Sequence, residues 1–253
     1  MAKIIFLGTA ASVSSPQRDS TSFLFLHKKE LFLIDCPGSI VYKLLRVGIN
    51  FRKLSNIIIT HQHPDHLYGL PHLIHAQSYL NNKINIFSNK KVKKVIENLV
   101  KIMNLTSKNY PTLNLYNVFS QEFFYLSKDL KIKAIKNNHI EESFGIEFIF
   151  KKKLLYSSDT AISHNIVEEA KKCNYLIHDC TASSSFFQKH PDISSLHTDA
   201  KTLSKVFKNT QIEKIIPIHF LLLEKGEEKK IRKELAEIKD KIIFPSDYQC
   251  LTL

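Results

Sequence analysis

The sequence predicts an α/β fold in which two β-sheets pack face to face with helices outside, a four-layer αββα sandwich. Three observations predict it. Apolar runs of strand length alternate with segments whose apolar residues recur at helical spacing. Residues 60–71, with four potential metal ligands within six positions, lie between the apolar run Ile57-Ile58-Ile59 and an amphipathic run over 67–80, which reads as strand, ligand loop, helix. The second half of the chain then repeats that logic as strands, helix, strand, helix, strand. Two facing sheets would bury the apolar strands on one side, and helices would cover them on the other. A metal site would lie at one edge, where loops from both halves meet.

Taken in order, residues 3–7 form an apolar strand that ends at Gly8, and the small, polar, Pro-containing stretch 10–22 is a loop. Residues 23–26 and 31–34 are strands joined by a turn at 27–30, and the second runs into Asp35-Cys36-Pro37-Gly38. Ile40, Val41, Leu44 and Leu45 have helical spacing within 39–47, and Gly48 can stop that helix. Residues 56–59 are the strand that feeds the ligand loop. A strand at 84–87 and a helix over 92–103 follow, while 104–120 is ambiguous, with Pro111 a breaker. Strands are expected at 122–126, 130–135, 145–150 and 154–157, a helix over 162–172 and a buried strand at 175–177. A helix over 197–207, a strand at 214–218, a charged helix over 227–239 and closing strands at 242–244 and the C-terminus complete the chain.

The 253 residues, 43% of them hydrophobic, can bury a full core, and one domain over residues 1–253 is expected. The four cysteines, Cys36, Cys173, Cys180 and Cys250, lack CxxC spacing, which points to a reduced, cytoplasmic protein without a disulfide framework. The apolar start is too short for a signal peptide, and no run approaches the roughly 18 residues that cross a bilayer, so no membrane partner is expected. The formal charge of +12 favours a polyanion such as RNA, although lysine runs such as Lys151-Lys152-Lys153 also serve as solvated turns.

The chemistry concentrates in His61, His63, Asp65 and His66. A loop at a strand end can aim His61 and His63 one way and Asp65 and His66 another. A single structural zinc takes four ligands and closes. So many donors in so short a span suggest two adjacent ions, completed from elsewhere. The second half supplies candidates: His139 follows a strand, Asp159 ends one and His219 ends another.

With these motifs the chain resembles the metallo-β-lactamase superfamily, and within it ribonuclease Z, the tRNA 3′-end endonuclease. Phe6-Leu7-Gly8-Thr9 with Pro16, Arg18 and Ser22, then Asp35, then His66-Leu67-Tyr68-Gly69-Leu70-Pro71 are similar to that family's motifs. His139 with Phe144-Gly145, Ser158-Asp159-Thr160 and His219-Phe220 fit its later ones. His178-Asp179-Cys180-Thr181 and Leu196-His197-Thr198 resemble its His-Glu-Ala-Thr and His-Ser-Thr loops.

The resemblance implies a dinuclear metal-dependent hydrolase of phosphodiesters. One ion would take His61, His63, His139 and Asp159, the other Asp65, His66, Asp159 and His219, with Asp159 bridging. Zinc is the default, and manganese or iron suits the same donors. Asp65 would also orient the attacking water, and His197 would contact the scissile phosphate or protonate the leaving oxygen. Asp35 would orient a ligand rather than bind. For His178 and Asp179 structural and catalytic roles both stand. RNA, a tRNA precursor above all, is the implied partner, and a homodimer is consistent with the family. The alternatives are a small-molecule or cyclic-nucleotide phosphodiesterase and, behind it, a glyoxalase II-type thioesterase or lactonase. The chain departs from the family in one respect: only nineteen residues separate His139 from Asp159, too few for the long tRNA-gripping arm of the usual bacterial enzyme.

Overall fold

The computed structural model describes residues 1–253, which gather into two compact units. No helix is long and apolar enough to cross a membrane. The first unit comprises Met1–Ser12, Pro16–Gln121 and Ser246–Leu253. Its seven-stranded sheet begins as an antiparallel meander of β1 (Ala2–Gly8), β2 (Ser22–His27) and β3 (Glu30–Ile34). Beyond β3 the sheet continues in parallel through β4 (Asn56–Ile58), β5 (Lys83–Ser88) and β6 (Thr112–Asn117). On the far edge a C-terminal strand, Cys250–Thr252, pairs antiparallel with β1. Four helices connect the parallel strands: α1 (Ile40–Arg46), α2 (Pro64–Leu67), α3 (Leu70–Ala76) and α4 (Lys90–Ile102).

The helical spacing read from the sequence sets the packing. In α4 Val92, Ile96 and Val100 face inward, and the Asn89 side chain caps the helix by accepting from Val92 N–H at 2.8 Å. These residues join Leu44, Leu73 and Ile74 against Leu24, Leu33, Ile57 and Ile86 of the sheet. Burying each such side chain contributes roughly 1.5–3 kcal/mol. The alternate strand residues Ile4, Phe6, Phe23, Phe25 and Phe32 are equally buried, so the strands read as near-continuous apolar runs.

The second unit, Val13–Ser15 and Glu122–Pro245, carries a six-stranded sheet. Here β7 (Tyr125–Leu126), β8 (Lys131–Lys136), β9 (Phe144–Ile149) and β10 (Lys153–Tyr156) are antiparallel. The sheet then turns parallel through β11 (Tyr175–Asp179) and β12 (Lys214–Ile218). Helices α5 (His164–Ala170), α6 (Ser184–Lys189), α7 (Ala200–Phe207) and α8 (Glu227–Glu234) accompany it. Ala170, Leu203, Phe207 and Ile231 from the helices pack with Leu155, Leu176 and Ile215 from the strands.

Several elements differ from the sequence reading. The helix expected over 67–80 is two short ones, because Pro71 has no N–H to continue α2 and Gly69 N–H donates instead to the Cys36 carbonyl at 2.8 Å. The ambiguous stretch 104–120 contains β6, an edge strand with half-buried residues and therefore weak alternation. Residues 242–244 make only one bridge, Ile242 to Ile215, just before Pro245. The helix expected from 197 starts at Ala200, capped by Asp199, which leaves His197 in the preceding loop.

Candidate metal centre

Parallel strands bring their carboxyl ends to one edge of a sheet, the usual position for reactive side chains in such folds. In the first unit β3 delivers Asp35 and β4 delivers Thr60 and His61. Asp35, fully buried, adopts a left-handed backbone with φ of 56°, an uncommon state for a residue other than glycine. Its carboxylate accepts Thr60 N–H at 2.8 Å and Thr60 Oγ1–H at 3.0 Å, and lies 2.8 Å from His66 Nδ1. Thr60 Oγ1 is also 3.0 Å from His61 Nδ1. His61 Nε2 lies 3.1 Å from His63 Nδ1, and His66 Nε2 lies 3.4 Å from Asp65 Oδ2. The loop is pinned from below: Cys36 N–H donates to the His66 carbonyl at 2.7 Å, and a Cβ on Gly69 would stand 1.9 Å from the Pro37 carbonyl oxygen.

The second unit gathers His139, Asp159, Asp179, His197 and His219. Two more left-handed residues turn the chain at strand ends, Ser158 with φ of 56° and His219 with φ of 67°. Asp159 Oδ2 lies 3.1 Å from His219 Nε2 and 3.9 Å from His139 Nε2. His139 Nδ1 is 3.0 Å from the Leu196 carbonyl oxygen, and His219 Nδ1 is 3.1 Å from Thr181 Oγ1. His139, Asp159 and His197 bring one donor atom each within 4.8 Å of one another, as do Asp179, His197 and His219.

These spacings fit metal ions. Two ligand atoms about 2.1 Å from a shared tetrahedral ion stand roughly 3.4 Å apart. The pairs within each unit, at 3.1, 3.4, 3.1 and 3.9 Å, bracket that value. Four of the histidines also hold one ring nitrogen against a protein oxygen, as metal-bound imidazoles do.

His197 stands apart from this pattern. Its Nδ1 is 2.8 Å from Asp179 Oδ2, and its ring stacks on that of His219 at 12° with centroids 5.1 Å apart. Asp179 is fully buried and also accepts Thr160 N–H at 2.9 Å and Thr181 Oγ1–H at 2.7 Å. The structure therefore separates the two residues that the sequence left open. Asp179 holds His197. His178 points the other way, packs on Phe207 with centroids 5.3 Å apart, and burial pushes its imidazole below the ordinary pKa. The register of β11 between β10 and β12 carries the signal for Asp179, and it is visible only once the strands pair.

Ribonuclease Z of Methanocaldococcus jannaschii is 31% identical over 153 residues, which cover 59% of this chain and 47% of that protein. Thus the chain spans about half the length of that relative. Ribonuclease Z of Exiguobacterium sibiricum is 23% identical over 303 aligned positions, covering 98% of each chain. The crystal structure of human tRNase Z, short form, superposes with a TM-score of 0.79 at 19% identity over 99% of this chain and 98% of that one. This likeness shows the metallo-β-lactamase fold expected from the sequence. A family model described as Anti-Pycsar protein Apyc1 matches residues 2–229. The chain has the metallo-β-lactamase fold, is similar to ribonuclease Z proteins, and belongs to the family described as Anti-Pycsar protein Apyc1.

Proposed function

We propose that the chain hydrolyses phosphodiester bonds with two divalent ions in the manner of ribonuclease Z, with RNA, a tRNA precursor, as its substrate. One observation carries the reading. His61, His66, His139 and His219 each commit Nδ1 to a protein oxygen at 2.8–3.1 Å, which turns Nε2 of each toward an ion. One ion would be held by His61, His63, His139 and Asp159. The other would be held by Asp65, His66, Asp159 and His219. Imidazole and carboxylate donors suit zinc, with manganese or iron as substitutes.

When bound, the ions supply Lewis acidity at the phosphoryl oxygens and lower the pKa of water. Asp65 orients the attacking water. His197 gives the leaving oxygen a proton from Nε2 while Asp179 holds Nδ1–H, so the ring stays aimed. The loop Gly69-Leu70-Pro71 and the His197 loop favour phosphodiesters over thioesters or lactones. The names of the relatives and the formal charge of +12 support RNA. A cytoplasmic setting accords with four free thiols, three of them buried. A homodimer accords with the same resemblance.

A second reading, a small or cyclic phosphodiester, rests on one specific observation. The interval from His139 to Asp159 is filled by β9, β10 and their turn, with no arm to grip tRNA, and the 303 aligned positions of the Exiguobacterium relative exceed this chain's 253 residues. A substrate panel decides between them: metal-loaded protein is assayed on precursor tRNA, a chromogenic phosphodiester, 2′,3′-cyclic and 3′,5′-cyclic nucleotides, and a thioester. Cleavage at the 3′ side of the acceptor stem supports the first reading. Turnover confined to small diesters supports the second, and turnover of the thioester alone refutes both.

A further inference from the structure

Two threonines each stand between a buried carboxylate and an imidazole. In the first unit Thr60 Oγ1 is 3.0 Å from Asp35 Oδ1 and 3.0 Å from His61 Nδ1. In the second, Thr181 Oγ1 is 2.7 Å from Asp179 Oδ1 and 3.1 Å from His219 Nδ1. Proton counting fixes the direction of each chain. An ionised carboxylate only accepts, so the hydroxyl gives it its single proton. The oxygen then has only lone pairs to offer the imidazole. The ring must therefore donate: Nδ1 carries the hydrogen, and Nε2 keeps the lone pair that an ion needs.

The carboxylates do more than this. Asp35 also holds His66 Nδ1 at 2.8 Å, and Asp179 also holds His197 Nδ1 at 2.8 Å. Each unit thus uses one carboxylate to fix two imidazoles, one directly and one through a threonine hydroxyl. Backbone N–H groups from Thr60 and Thr160 also donate to the two carboxylates, at 2.8 and 2.9 Å. The same parts with the same bond directions recur in both units. A hydroxyl that merely needed a partner would not account for that recurrence.

We infer that Thr60 and Thr181 are positioning residues that set the tautomers of His61 and His219 for ion binding, relaying the hold of Asp35 and Asp179. The inference rests on the two-ion reading above, and assigns the two threonines to different ions: Thr60 to the ion of His61, Thr181 to the ion of His219. It also makes Asp179 the point through which an ion ligand, His219, and the proton donor, His197, are held together.

The test uses zinc as the probe. Valine keeps the shape of threonine without the hydroxyl, and serine restores it. Zinc-loaded wild type, Thr60→Val, Thr60→Ser, Thr181→Val and Thr181→Ser are titrated with a competing chelator. Each valine variant is expected to hold one of its two ions about 10–100-fold more weakly, the usual scale for losing such a partner, and the other as wild type does. Each serine variant is expected to return to wild-type retention. Nitrogen-15 NMR of the imidazoles in wild type supplies a second readout that needs no variant to fold: His61 and His219 should carry the hydrogen on Nδ1. Valine variants with both ions at wild-type affinity, serine variants as weak as valine, or an Nε2–H tautomer at either ring overturn the relay alone. Wild type that takes up fewer than two zinc ions overturns the two-ion reading and the relay with it.

Discussion

Asp159 presents one carboxylate oxygen to two imidazoles, His219 Nε2 at 3.1 Å and His139 Nε2 at 3.9 Å. On the proposed two-ion reading it is shared by both ions, so Asp159→Ala is expected to lower occupancy at both, whereas His61→Ala should weaken chiefly one. Metal analysis of the two purified variants checks this, and two ions retained in Asp159→Ala would exclude a bridging role. His197 differs in kind, since its Nδ1 belongs to Asp179. His197→Ala should keep its metal while turnover falls roughly 10²-fold or more, the scale of a lost general acid. Loss of zinc in that variant would make His197 a ligand instead. The candidate donors were legible in the sequence because four of them, His61, His63, Asp65 and His66, fall within six positions. What holds them was not. Asp179 becomes meaningful only when β11 is placed between β10 and β12, and the left-handed backbones of Asp35, Ser158 and His219 carry no glycine to announce them.

At the level of elements, the ligand loop depends on a close approach. Gly69 has an ordinary φ of −80°, so its role is space rather than backbone freedom, with the Pro37 carbonyl where a Cβ would stand. Gly69→Ala should therefore push the loop off Cys36, destabilising the fold by at least about 2 kcal/mol and lowering metal content; thermal unfolding and metal analysis read the two effects. The sequence marked this break only as Gly-Leu-Pro inside a helical pattern, and periodicity outvoted the proline. His178 provides a second check. Burial holds its imidazole below the ordinary value of 6.5, so the unfolded chain binds a proton there that the folded chain refuses. The stability conferred by the neutral ring is full above pH 6.5 and is lost as pH falls from 6.5 toward the lowered folded value. In metal-free protein, wild type should thus lose Tm relative to His178→Leu on acidification; parallel curves would show that the ring titrates normally. Elements with strong periodicity, such as α4, were read correctly, whereas β6 and α6 escaped because their faces are only partly apolar or because turn residues dominate them.

For the whole molecule the governing quantity is charge. A chain without an arm must hold RNA by its own surface, and with a formal charge of +12 counterion release is the available force. Measured as kcat/KM between about 50 and 200 mM salt, cleavage of precursor tRNA should fall steeply while that of a small chromogenic diester changes little. Negligible tRNA cleavage at low salt beside fast diester turnover would promote the small-substrate reading. Fold class was recoverable from alternating strands and helices, but the division into two units was not, since the first is assembled from separate parts of the chain.

That discontinuity bears on synthesis. Asp247, beside the C-terminal strand, accepts Thr9 Oγ1–H at 2.6 Å and Asp19 N–H at 2.7 Å, and Cys250–Thr252 closes the edge of β1. The second unit can be finished once Pro245 has left the ribosome, but β1 waits for Cys250–Thr252. At 5–20 residues per second that wait is about 12–50 s, during which the edge of β1 is open to other chains. Translation speed and chaperone access in that interval then act on a sheet whose edge is still unpaired.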